Sequence, residues 1–110
     1  MKKKTISENR IPRRLKQLLN GTVRRILTGF IIYYNGLSAI WSVTEHLIEE
    51  IIRYRLTSDP VSVLVRYENH GLVLFIRTCK YDVVAEYEIG KRNLKLKNVE
   101  IKRRNKHCSY

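Results

Sequence analysis

The chain has 110 residues, is 44% hydrophobic, and carries 22 basic against 10 acidic residues for a net charge of +12. That length accommodates one domain with a modest single core and excludes two, and the apolar content excludes a disordered polycation. The charge is uneven: residues 1–25 hold nine basic groups and one acidic, residues 26–90 five and eight, and residues 91–110 eight and one.

Residues 1–10 form a polar leader with Lys2, Lys3 and Lys4 together, expected to be flexible in isolation. The single domain is expected over residues 11–110. From Pro12, which suits a first helical turn, Leu15, Leu18, Leu19, Val23, Ile26, Leu27, Phe30, Ile31 and Tyr34 recur at three- and four-residue steps, the mark of an amphipathic helix. Asn20-Gly21 interrupts good helix formers at a cost of about 1 kcal/mol, but the apolar phase continues across it and predicts one continuous helix. The competing reading is a helix-turn-helix, with Thr22 capping a recognition helix that opens Val23-Arg24-Arg25. The polar face of the continuous helix collects Arg14, Gln17, Gly21, Arg24, Arg25 and Thr28 without an acidic residue, a face able either to lie along phosphates or simply to meet solvent.

Asn35-Gly36 ends this helix, and a second is expected from Ser38 or from Ser42, where Ser42-Val43-Thr44-Glu45 fits a capping box. Ile40, Val43, Leu47, Ile48, Ile51, Ile52 and Tyr54 give it a wide apolar stripe, which asks for two covering surfaces or for a second subunit; a homodimer through the helix from about Ser38 to Leu56 is one expectation. Its polar face is expected to hold Glu45, Glu49 and Arg53, with Glu49 and Arg53 as an i, i+4 pair. Trp41 reads as core or interface. Residues 26–44 carry no charge over nearly the length of a membrane span, but Tyr-Tyr-Asn-Gly-Leu-Ser breaks the run into two helices, so no span is expected.

Thr57-Ser58-Asp59-Pro60 turns the chain into a run of strands. Val61 to Glu68 alternates with Val61, Val63, Val65 and Tyr67 inward; Leu72 to Cys79 is apolar on both faces, as an interior strand should be. Tyr81 to Ile89 alternates cleanly, Gly90 to Asn93 turns, and Leu94 opens the fourth strand. In the hairpin register Ile89 faces Leu94, Tyr87 faces Leu96, Glu88 meets Lys95 and Glu86 meets Lys97, so both faces agree. The predicted fold is α+β, with two N-terminal helices packed on one face of a four-stranded antiparallel meander. On the opposite face Arg66 and Arg77 are expected to pair with glutamates, while Phe75 offers a surface for base stacking.

Two cysteines, Cys79 and Cys108, are too few for a disulfide scaffold and point to an intracellular, reducing compartment. His107-Cys108 lacks the further ligands of a zinc site, and no metal or other cofactor is expected. The tail from about residue 102, Lys102-Arg103-Arg104-Asn105-Lys106, reads as an electrostatic arm.

One constellation carries possible chemistry. Asp82 on the third strand, followed after a hairpin by Glu100-Ile101-Lys102, resembles the core of the restriction-endonuclease-like nucleases, including Holliday-junction resolvases. The resemblance covers about Tyr81 to Arg103. It implies Asp82 and Glu100 as ligands of a divalent cation such as Mg²⁺, Lys102 as the lysine that orients the attacking water, and Glu45 or Glu49 as a helix carboxylate. In an unbroken register Glu100 points away from Asp82. A bulge near Lys97-Asn98, hinted at by the switch of apolar positions from Leu94 and Leu96 to Val99 and Ile101, would bring them onto one face.

Charge and fold together favour a small basic protein that binds nucleic acid, DNA or RNA, mainly through the phosphate backbone with low sequence specificity. The candidate contacts are Arg13, Arg14, Arg24, Arg25, Lys91, Arg92, Lys95, Lys97, Lys102, Arg103, Arg104 and Lys106. A protein-interaction or inhibitor module that docks its basic ends on an acidic partner is the competing non-enzymatic reading.

Overall fold

Four strands form a meander in the order β1-β2-β3-β4 in the computed structural model, which describes residues 13–34, 38–68 and 71–104. They are β1 (Ser62–Glu68), β2 (Gly71–Arg77), β3 (Tyr81–Ile89) and β4 (Leu94–Arg103), each antiparallel to the next. Ahead of them come α1 (Arg13–Leu18), a π-helical turn (Leu19–Val23) and α2 (Arg24–Tyr34), which follow one another as a single rod, and then α3 (Ser38–Arg55). The chain is therefore α+β, helices first and sheet second, as its periodicities predict. The leader, Asn35-Gly36, Asn69-His70 and the His107-Cys108 pair lie outside the described residues. No helix among those described is long and apolar enough to cross a membrane.

The rod is continuous through Asn20-Gly21, so no helix-turn-helix corner forms there. Its core positions explain the change of pitch. Leu15, Leu19, Val23 and Leu27 are buried and Ile31 packs against them, all at steps of four residues. In a straight α-helix four such steps would rotate the apolar line by roughly 160°, carrying Ile31 away from the sheet. A wider π turn unwinds part of that drift and keeps the line facing the core.

The π turn also disturbs the regular helical ladder, and a side chain from the sheet meets it there. The Tyr87 hydroxyl donates to the Leu19 carbonyl at 2.8 Å, with the tyrosine 2% exposed. Nearby, the Thr28 hydroxyl accepts the Leu94 amide at 3.3 Å while donating to the Arg24 carbonyl. The Arg24 guanidinium donates to the Leu94 carbonyl at 3.3 Å and to the Asn20 carbonyl at 2.8 Å. The rod is thus fastened to β3 and to the first residue of β4.

One core unites the rod, α3 and the inner face of the sheet. The strands contribute Val63, Val65, Leu72, Leu74, Ile76, Val83, Ala85, Tyr87, Leu94 and Val99, and Trp41 packs partly buried against this cluster. Tyr67, expected inward, is 63% exposed: it stands near the end of an edge strand.

The second helix differs from expectation in its phase. It begins at Ser38, so Ser42 lies inside it and forms no capping box. Its buried line is Thr44, Ile48 and Ile52, while Val43, Leu47 and Tyr54 of the anticipated stripe are exposed. The reason is the edge of the sheet. Glu45 accepts the Val65 amide at 2.8 Å and Glu49 accepts the Val63 amide at 3.1 Å, satisfying outward N–H groups that an edge strand leaves open. The spacing fits: four helical residues rise about 6 Å, close to the roughly 6.6 Å between alternate strand residues. Turning both carboxylates toward β1 rotates Val43 and Leu47 outward and replaces the expected Glu49 to Arg53 pair.

The β3–β4 hairpin keeps Ile89 opposite Leu94, Glu88 opposite Lys95 and Tyr87 opposite Leu96. Beyond that the register shifts, and Glu86 faces Asn98 rather than Lys97. This is the bulge anticipated near Lys97-Asn98, and it lets Val99 resume the inward position. Shorter turns close the rest. Thr57 accepts the Asp59 amide at 3.0 Å, the Gly90 amide donates to the Asn93 carbonyl at 2.8 Å, and the Thr78 hydroxyl accepts the Lys80 and Tyr81 amides.

Cys79 is disulfide-bonded, and the chain's other cysteine, Cys108, lies outside the described residues. A disulfide at Cys79 runs against the reducing compartment expected from the low cysteine count.

Burial pushes the Tyr87 hydroxyl well above its ordinary value of about 10, against a smaller lowering by Arg24. Because the folded-state value is the higher one, its contribution to stability is full below pH 10 and is lost as pH rises above it. Tyr87→Phe, which leaves the Leu19 carbonyl without its donor, should lower the unfolding free energy by about 1–3 kcal/mol at neutral pH. In urea titrations the gap between wild type and variant should narrow above about pH 10; a constant gap would mean the hydroxyl is not buried as described.

Candidate functional site

The rod and the end of α3 line an open groove of about 710 Å³. The rod supplies Arg14, Gln17, Leu18, Gly21, Thr22 and Arg25, and the end of α3 with the residue after it supplies Tyr54, Arg55 and Leu56. Three guanidinium groups line this groove and no carboxylate does. The rod face is set by the ties described above: Arg24 and Thr28 are drawn toward Leu94, which leaves Arg25 and the Arg14-Gln17-Gly21 line turned the other way. A Cβ at Gly21 would find nothing within 4 Å, so the bare glycine leaves room above the backbone between Arg14 and Arg25. Tyr54 is 89% exposed.

Among the described residues no carboxylate pairs with the groove arginines. Among the described residues the ion pairs are His46 with Glu49 and Glu50 at 3.8 and 3.9 Å, Arg66 with Glu68 at 3.5 Å, and Arg77 with Asp82 at 2.8 Å. No basic residue described between 13 and 25 or between 91 and 104 is paired with a carboxylate. Among the body's acidic groups, Glu45 and Glu49 accept amides on the edge of β1, and Glu68 and Asp82 meet Arg66 and Arg77.

The other expected contacts are divided. Arg24 is engaged with backbone carbonyls, and Arg104 donates to the Thr78 carbonyl at 2.8 Å while its own amide meets the Lys80 carbonyl; both hold the fold. Arg13 is exposed at the start of α1, and Lys91 and Arg92 are exposed in the turn that leads to Leu94, beside Arg24. Lys95, Lys97, Lys102 and Arg103 are exposed along β4, the second edge of the sheet, and Lys106 lies outside the described residues. The structure brings Arg14 and Arg25 into one site and adds Thr22, Tyr54 and Arg55, which the sequence reading had not placed there. The available signal was Arg53-Tyr54-Arg55, an aromatic residue between two arginines at a helix end.

The outer face of the sheet tests the nuclease resemblance. With the bulge in place Asp82 is opposite Lys102 and Val84 is opposite Glu100, so Asp82, Glu100 and Lys102 share a face. The chemistry around them does not suit a divalent cation. Arg77 donates to both oxygens of Asp82, at 2.8 and 3.2 Å. Those hydrogen bonds hold the Asp82 carboxyl below the usual carboxylate range against slight burial, and the charges of Arg77, Arg104 and Lys102 add to the effect. Glu45 and Glu49 are committed to β1, at the far edge from β4. Among the described residues no three His, Cys, Asp or Glu side chains come together as ligands. Elsewhere on this face Arg66 stands over the Phe75 ring at 6.0 Å, which occupies the surface considered for base stacking.

No family model matches this chain, and no curated protein or solved structure matches it either. The site is therefore argued from its own geometry.

With Arg77 holding Asp82, labelled DNA and RNA incubated with Mg²⁺ or Mn²⁺ should remain intact. Cleavage that both Asp82→Ala and Glu100→Ala abolish would restore the nuclease reading.

Proposed function

We propose that this chain is a nucleic-acid-binding protein that engages the phosphate backbone with little regard to sequence. The observation that carries the reading is the groove between the rod and α3, where Arg14, Arg25 and Arg55 converge without a carboxylate. Guanidinium groups suit phosphates because their planar donors match two oxygens at once. Arginines that repel one another in a concave site lose that mutual repulsion when a polyanion enters, and the net positive charge of the chain favours its approach. The exposed Arg13, Lys91, Arg92, Lys95, Lys97, Lys102 and Arg103 extend the cationic surface, and none of these groups offers base-specific geometry by itself.

If about six phosphates are neutralised, log affinity should fall against log salt with a slope near −5 for duplex DNA and near −4 for single strands. Replacing Arg14, Arg25 and Arg55 together by glutamine should reduce the single-strand slope by about 2. Fluorescence anisotropy across a salt series measures both. A flat salt dependence removes the proposal, and binding to polyglutamate but to no oligonucleotide would transfer the groove to an acidic protein partner.

The reading includes self-association through α3, whose Val43 and Leu47 are exposed on neighbouring turns. Leu47→Glu should then convert a dimer to a monomer in light scattering; a wild-type protein that is already monomeric ends this part of the proposal.

A further inference from the structure

Resting on the nucleic-acid reading, we infer that the groove selects a single strand, with a base stacked on the Tyr54 ring and the flanking phosphates held by Arg14, Arg25 and Arg55.

The first argument is the run of cations. Arg14, Arg25 and Arg55 line one open groove in which no carboxylate stands. Along the rod, Arg14 and Arg25 are separated by roughly 16 Å, enough to follow a short strand lengthwise.

The second argument is Tyr54. At 89% exposed it leaves a large aromatic face in water on the wall of a cationic groove, within the same lining as Arg55. In a duplex the base faces are covered by their neighbours; in a single strand they are available to an aromatic ring, and such stacking tolerates any sequence. Gly21 completes the arrangement, since the open space where its side chain would stand gives a backbone room to approach the rod.

The test uses the full chain with a labelled 12-nucleotide strand and the matching duplex, read by anisotropy, with circular dichroism confirming that each variant is folded. Wild type should prefer the strand. Tyr54→Ala should weaken strand binding about tenfold or more, as loss of a stacked base does, and leave duplex binding within about twofold; Tyr54→Phe should retain the affinity. Gly21→Leu, which fills the groove without changing charge, should weaken the strand selectively. Equal affinity for strand and duplex, or a Tyr54→Ala protein that binds both as wild type does, overturns the single-strand inference while leaving backbone binding standing. Absence of binding to either nucleic acid overturns both.

Discussion

The hydrogen bond from Tyr87 to the Leu19 carbonyl is the constraint around which the helical layer is arranged. It joins the π turn of the rod to an interior strand of the sheet, at a place where the helical ladder is irregular. The irregularity itself follows from sequence: core residues at steps of four cannot stay on one side of a straight α-helix, and a π turn is the local remedy. A buried carbonyl at such a turn needs a donor, and β3 delivers a phenol hydroxyl that is otherwise sealed in the core. Once this contact fixes the rod against β3, Arg24 and Thr28 fall beside Leu94. The opposite side of the rod, with Arg14, Gly21 and Arg25, is then left to form a wall of the groove.

A second division of labour concerns the carboxylates. Glu45 and Glu49 accept amides from the edge of β1, and Asp82 and Glu68 take up Arg77 and Arg66. These are structural uses. They hold negative charge near the sheet, and among the described residues no carboxylate pairs with the basic groups of the rod. The same device protects the fold, because a capped edge strand offers no template for pairing with another chain.

Much of the architecture was legible beforehand, and the misreadings have specific causes. Strand alternation located β3 to the residue, and the shift of apolar positions from Leu94 and Leu96 to Val99 and Ile101 announced the bulge. The preserved phase across Asn20-Gly21 argued for an unbroken rod. What could not be read was the rotation of α3, because hydropathy treats Glu45 and Glu49 as solvent groups, whereas the edge amides of Val63 and Val65 draw them inward. That single rotation exposes Val43 and Leu47 and hides Thr44. Tyr54, counted among the apolar stripe, instead joins the groove wall, so most of the candidate site lay in plain view on the rod while its aromatic partner was assigned to the wrong surface. Arg24 illustrates the reverse case: it carries the charge of a ligand contact but is used to bind a carbonyl 70 residues away.

The two cationic settings on this molecule show why position decides what a charged group can do. Asp82, Glu100 and Lys102 meet the spacing and the facing that metal-dependent cleavage asks for, but they lie on an open sheet face where Arg77 is free to reach the aspartate and satisfy it. Water and a neighbouring side chain compete there with any ligand. Between the helices the situation is reversed. The groove is concave, its lining includes Leu18 and Leu56, and among the described residues no carboxylate pairs with its arginines. On the proposed reading a polyanion entering it would displace solvent from a partly apolar site, where charge-assisted hydrogen bonds are stronger than on a flat surface. Whether a charged group already has a partner, rather than the inventory of charged residues, separates the two surfaces.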